Sequence, residues 1–446
     1  MLDTVVRYFD EGVLSQLRVL FPQVADIFMY LFPYVLLYTV IATTWKSWVK
    51  WRRLKAMTEI DWVCIQIRLP QETFKTPKAM EIVLTAIHQA GGEGTWIDRN
   101  IKGTLRPSFS LEMASHGGEV QFYMYVPKKL KNNIEVQIYS QFPDIEINEV
   151  PDYTASVPFS IHEHDLEGYT LKLSKADPLP IKTYIDYGMD KPGTEEEEKI
   201  DPLTVLIESL GALKSGEHAW VQMVVRSLGK KKVWGGWTSF WEKKAKEGKT
   251  WGQILSGDFW KMIWKEEDPF KDATKKALED LKTAGILKLK VKDEDKDFGY
   301  SPTKFQQETI EALERAVNKF AFEVGIRVVY IAEKSKFKNK GLVGPGMWKQ
   351  FNSVNLNGFA KDTDVSAGKW YWPDFKNVQS NGNKLGMYEA YRLRSWYEKI
   401  ERHEGTMVLT TEELATIYHF PGSVARTPTF TRIPSKKSTA PANLPI

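Results

Sequence analysis

The chain has 446 residues, 61 lysines and arginines against 57 aspartates and glutamates, and one cysteine. That length allows two or three domains with cores of their own, and 42% hydrophobic with 26% charged residues exclude a disordered or collagen-like chain. The lone Cys64 excludes an intramolecular disulfide framework and a structural cysteine–zinc site and fits a reducing compartment, while a formal net charge of +4 is too small to announce a nucleic-acid binder.

In residues 1–23, Leu2, Val5, Val6, Phe9, Val13, Leu17 and Leu20 recur near helical spacing. That pattern fits an interfacial amphipathic helix or a plain extension of the apolar helix over residues 24–45. Those residues run VADIFMYLFPYVLLYTVIATTW, with Asp26 the only ionisable acid or base. Twenty-two helical residues reach about 33 Å, enough for a hydrocarbon core of ~30 Å, and Pro33 is tolerated in a spanning helix. Trp45, Trp48 and Trp51 stand where an interfacial aromatic belt belongs. Lys46, Lys50, Arg52, Arg53 and Lys55 form a basic juxtamembrane connector over 46–59 with no acid before Glu59. By the positive-inside rule the span is single-pass in the cell (inner) membrane, N-terminus outside and main body cytoplasmic. A cleaved signal peptide fits less well, since acids precede the apolar core and bulky Trp45 follows it.

The fold class expected beyond this anchor is α+β, in two ferredoxin-like halves. In residues 60–176, Trp62–Leu69 reads as a strand and Pro77–His88 as a helix opened by Thr76 and Pro77. Ser108–Ser115 and Glu119–Val126 read as a hairpin turned by Gly117-Gly118. Lys128–Gln141 reads as a helix and Asp144–Val150 as a strand, giving the order β-α-β-β-α-β. Gly168–Ser174 extends the sheet. Residues 177–340 carry a weaker second half: strand Ile181–Tyr187, helix Asp201–Lys214, strand Trp220–Arg226, helix Pro302–Lys319 and strand Phe322–Ala332. The pair suggests an internal duplication.

A helical insertion at 228–300 splits that half. It holds Trp234, Trp237, Trp241, Trp251, Trp260 and Trp264 among lysines that include Lys243 and Lys244. Such residues suit a membrane surface, single-stranded nucleic acid, or a lobe that packs its own aromatics. Interspersed acids dilute the field and weaken the nucleic-acid reading most. Residues 341–426 read as a C-terminal α/β extension whose helix Thr410–Tyr418 is capped by Thr410 or Thr411. Residues 427–446, with Pro428, Pro434, Pro441 and Pro445, read as a linker tail.

Catalytic signatures are missing. Gly248-Lys249-Thr250 has Lys243 where a phosphate loop needs its first glycine, and no G-x-G-x-x-G, H-E-x-x-H or G-x-S-x-G appears in a supporting context. His162-Glu163-His164 is the best metal-like cluster, though a solvated polar loop explains it more simply and no third ligand can be assigned. Cys64, in an apolar strand, reads as a core thiol. The expectation is a protein that is not an enzyme and carries no cofactor or metal.

Several phrases in order resemble a known family: Pro77-Lys78-Ala79-Met80-Glu81, Leu111-Glu112 with Gly117-Gly118-Glu119, Gln137 to Asp144, and Asp152-Tyr153. They continue with Gln350-Phe351-Asn352, Asn357-Gly358-Phe359, Glu413 to Pro421 and the ending Ser435 to Pro445. The series resembles the membrane-anchored region beside the motor of HerA/TraG-like conjugative-transfer (type IV secretion) ATPases of candidate-phyla bacteria, without the ATPase domain. The resemblance implies a separate ATPase subunit as partner within a multi-subunit complex, with Phe351, Asn357, Gly358, Phe359, Glu413 and His419 as docking candidates. The alternative is a membrane-associated nucleic-acid-binding module that uses the tryptophan-rich insertion.

Overall fold

Strand after strand alternates between two faces of one sheet, and that alternation sets the architecture. A computed structural model of the chain describes residues 14–70, 75–88, 101–103, 106–190, 201–229, 231–234, 264–290, 303–365, 377–396 and 406–421. Strand β1 (Trp62–Arg68) sends Val63, Ile65 and Ile67 to one face and Cys64 and Gln66 to the other. β2 (Ser108–His116) and β3 (Glu119–Pro127) do likewise, with Leu111, Met113, Phe122 and Met124 on the first face. Gly117 and Gly118, at φ 64° and 96°, supply the left-handed two-residue turn that joins them.

The remaining strands are β4 (Glu146–Val150), β5 (His164–Leu173), β6 (Glu217–Ser227), β9 (Ala321–Glu333), β10 (Phe359–Asp364) and β11 (Met407–Thr410). With β1–β3 they form one nine-stranded sheet in the order β10-β5-β9-β6-β2-β3-β1-β4. Every pairing is antiparallel, and β11 follows β5 along the same edge of β9. Short β7 (Lys231–Trp234) and β8 (Trp264–Glu267) form a separate two-stranded sheet.

Counted in chain order, the strands of residues 62–150 stand as fourth, first, third, second from one edge inward. From the other edge, β10-β5-β9-β6 reads the same, and the two sets meet at the β2·β6 pair. What differs is the link between the third strand and the second. In the first set it is the tight glycine turn; in the second it carries β7, β8, α5 (Pro269–Lys290) and α6 (Lys304–Val317). One face of the sheet is covered by α2 (Pro77–Ile87), α3 (Lys128–Gln141), α4 (Leu203–Gly211), the 3-10 turn Pro345–Phe351 and α8 (Thr411–Ile417), which close the main apolar core. The opposite face is covered by α7 (Val378–Arg392) and the turn Tyr153–Ser156.

Several expectations change. Ile181–Tyr187 is not a strand but a run of turns: Ile181 and Tyr184 reach the core from them, and Asp186 accepts from Thr183 N. The C-terminal α/β extension over residues 341–426 contributes two strands to the main sheet, β10 pairing with β5 and β11 with β9. The insertion contains the β7·β8 pair as well as helix. The 46–59 connector is helical through Thr58, being the end of α1 (Leu14–Thr58), a continuous 45-residue helix. The chain divides into two compact units, Met1–Glu59 with Glu93–Leu105, and Ile60–Gly92 with Arg106–Ile446.

Candidate functional site

Two regions depart from what an ordinary fold requires: the surface of α1 and the polar face of the sheet. Side chains of α1 are described from Met29 onward, Met57 excepted. Tyr34, Val35, Leu36, Leu37 and Tyr38 are consecutive and each more than half exposed. At 100° per residue, five in a row turn past a full circle, so apolar side chains point outward on every side. The Thr39 hydroxyl donates to Leu36 O at 2.8 Å and the Thr43 hydroxyl to Thr39 O at 2.7 Å, so the helix satisfies its own polar side chains. Among the described residues, no helix is long and apolar enough to cross a membrane.

The expected collar divides. Trp45, Lys46, Trp48, Lys50, Trp51 and Lys55 are exposed, with Trp48 and Trp51 rings 5.4 Å apart and Lys55 5.8 Å above Trp51. Arg53, however, is buried, and Arg52 is half-buried with its Nε donating to Ile101 O at 2.8 Å. Gly103 permits that approach, since a Cβ there would lie 2.8 Å from Arg52 backbone. Arg52 therefore holds the 101–103 segment, and the buried Arg53 does not face headgroups.

On the sheet, Glu112 lies mid-strand in β2 with 0% exposure. Its carboxylate accepts from Ser110 Oγ (2.6 Å), Tyr153 OH (2.7 Å), Gln222 Nε2 (3.0 Å) and Arg394 Nε (3.1 Å). Arg394 also pairs with Asp152, at 3.0 Å through Nη2, and stacks 4.1 Å above the Tyr125 ring. Because Tyr153 donates to Glu112, Tyr391 OH donates to Tyr153 across 2.7 Å. Gln222 carries the network on, accepting from Arg327 Nη1 at 3.0 Å, and Arg327 packs 4.6 Å from the Trp396 ring.

Burial sets the charges here. It raises the Tyr153 and Tyr391 phenols well above their ordinary value, with Glu112 adding to the effect, so both stay neutral. Burial lowers Arg327 to about 10, which leaves it charged near neutral pH. At Asp152 burial acts upward, but the Arg394 guanidinium outweighs it and holds the carboxyl below its usual range. Arg394 takes a left-handed backbone, φ 49°, to place this guanidinium. Every one of these groups is committed to another, so the network locks α7 onto the sheet. Cys64, on the same face, is a buried thiol pushed up to about 12, chiefly by burial.

The docking candidates lie in the interior. Phe351, Asn357, Gly358, Phe359, Glu413 and His419 are all buried within this chain and present no surface to a partner. Asn357 Oδ1 accepts from Lys175 N at 2.8 Å, and its Nδ2 donates to Leu179 O at 2.9 Å. Glu413 closes a capping box with Thr410 and accepts from Ile181 N at 2.9 Å. His419 Nε2 lies 3.2 Å from Asp201 Oδ2. In fact residues 406–421 are buried without a break. Trp237, Trp241, Lys243, Lys244 and Trp260 lie outside the described residues. For Trp234 and Trp264 the backbone register places them opposite one another at the end of β7·β8.

A cleft of about 450 Å³ opens between Pro178, Leu228, Phe270 and Val408, with Asp177 and Glu323 on its wall. Glu323 is engaged by Arg226 Nε at 2.9 Å. Among the described residues no three histidine, cysteine, aspartate or glutamate side chains converge to hold a metal ion, the His162-Glu163-His164 stretch included. Glu112, Asp152, Gln222, Arg327 and Arg394 went unassigned on the sequence. The available signal was a carboxylate in the middle of the otherwise uncharged strand SFSLEMAS.

The family described as domain of unknown function (DUF8128) matches residues 50–432, and the chain belongs to that family. No curated protein matches the chain.

Proposed function

We propose that this member of the DUF8128 family is a non-catalytic, single-pass subunit held in the cell membrane by α1. Its cytoplasmic body, two ferredoxin-like halves joined at β2·β6, docks or positions a HerA/TraG-like ATPase in a type IV secretion or conjugation-like transfer machine. The observation that carries the anchor is the outward apolar surface of α1. A helix apolar on every side belongs inside a large core or in lipid, and no core covers residues 34–38. The described side chains begin at Met29, five residues into the apolar run that starts at Val24, and the span comprises the whole run. Exposed Lys46, Lys50 and Lys55 with three tryptophans at its C-terminal end support the cytoplasmic side for the body. The ATPase partner rests on the resemblance of the ordered sequence phrases.

Nothing among the described residues favours the nucleic-acid alternative. The β7·β8 register sets Lys231 opposite Glu267 and Lys232 opposite Glu266, which offsets the positive charge such a groove needs. Carbonate extraction tests the anchor: full-length protein stays in the membrane pellet, and a chain lacking residues 1–58 is released. Full-length protein that washes off with carbonate would end this reading. Co-expression with a HerA/TraG-like ATPase and purification in detergent tests the docking half separately. A failure to co-purify removes the partner while leaving the anchor in place.

A further inference from the structure

We propose that His116 and His218 form a cross-strand chelate for a divalent transition-metal ion of the zinc class. The β2·β6 register sets the two residues directly opposite one another, so both imidazoles rise from the same face of the sheet. Their Nδ1 atoms are 3.1 Å apart. Two nitrogens bound to one ion at ~2.0–2.1 Å, with an angle between 90° and 110°, stand about 2.9–3.4 Å from each other. The pair therefore already has the bite of a chelate, and the paired strands hold it without further ordering.

In the hydrogen-bonded pair one Nδ1 carries the shared proton; with that proton on Nε2 instead, both Nδ1 lone pairs are free for the ion. Other groups near the site are Glu119, opposite His116 on β3, and the rings of Tyr153 and Trp220, 5.8 and 6.4 Å from His116. The aromatic rings wall one side. Both histidines are half-buried, which leaves solvent access for the ion and for water as its remaining ligands. Since no three-residue ligand group exists among the described residues, the site is a two-imidazole chelate completed by water. His164, whose Nδ1 is buried without a hydrogen-bond partner among the described residues, starts β5 on this same face of the sheet.

The test uses the full-length, tag-free chain in detergent, stripped with a chelator and titrated with Zn2+ by calorimetry. One equivalent binds the wild type; His116→Ala and His218→Ala each abolish binding, and His162→Ala retains it. Near-UV circular dichroism establishes that the variants fold. Should either fail to fold, the electron paramagnetic resonance spectrum of the wild type with one equivalent of Cu2+ decides, two equatorial imidazole nitrogens being the expected signature. Absence of Zn2+ binding, binding that survives both alanine variants, or a Cu2+ spectrum with one nitrogen or none would overturn the proposal and leave the pair as a hydrogen bond between neutral imidazoles.

Discussion

The two faces of the central sheet bury their side chains by opposite means. One packs Leu111, Met113, Phe122, Val221, Ile326 and their neighbours against five covering elements, so its cohesion is additive and tolerant of small changes in shape. The other buries Glu112, Gln222, Arg327 and Arg394 in a hydrogen-bonded lattice beneath α7. There each group is affordable only while its partners remain, because an orphaned charge keeps its full desolvation cost. The polar face therefore specifies how α7 sits, while the apolar face supplies most of the stability.

The sharpest way to break this contrast is Arg394→Ala. It strands Glu112 and Asp152 and is expected to cost about 3–5 kcal/mol in chemical denaturation. Adding Glu112→Gln should recover part of that loss, a coupling that a purely additive face would lack. The next effect probes the polar exception on the apolar side. Burial raises the Glu413 carboxyl from 4.5 to about 7. The folded state then holds this proton more tightly than the unfolded one, so the Glu413 contribution falls as pH rises from about 4.5 to 7 and is flat above. The wild type minus Glu413→Gln stability difference should decline across that window, by on the order of 3 kcal/mol. A flat difference profile would mean that the backbone donors of Thr410 and Ile181 keep Glu413 ionised.

Gly325→Ala should cost about 1–3 kcal/mol. The added Cβ would fall 2.2 Å from the Trp396 ring, and that ring lies against Arg327. Ile326→Val, one residue on and facing the apolar core, should cost only about 0.5–1.5 kcal/mol by thermal or chemical denaturation. If Gly325→Ala proved the milder of the two, Trp396 would be a loose cover and not part of the lattice.

Strands were legible wherever apolar and polar residues alternate, as in EVQFYMYV, and two acids behind a pair of threonines marked the helix start, leaving Thr410 and Thr411 as caps between which the structure chooses Thr410. The start of β5 was missed because His164 and Asp165 open it with polar residues. Residues 181–187 misled for the converse reason: spaced apolar residues reach the core from turns as well as from strands. The docking candidates were chosen by resemblance, and a resemblance cannot tell a buried clamp such as Asn357 from a surface contact. No local pattern pairs Glu112 with Arg394 or His116 with His218, because each pair is far apart in sequence and meets only once the sheet has formed.

The unbroken burial of residues 406–421 has a consequence for the order of events during synthesis. α1 ends at Thr58, so it leaves the ribosome about 360 residues before this segment is complete. At roughly 5–20 residues per second, that interval is roughly 20–70 s. Through all of it the apolar face of the sheet lacks Leu414, Ile417, Tyr418 and Phe420, and β9 lacks its β11 neighbour. Helix α1 is thus complete and outside the ribosome while the apolar face of the body is still open, and the body closes only once residues 406–421 have followed.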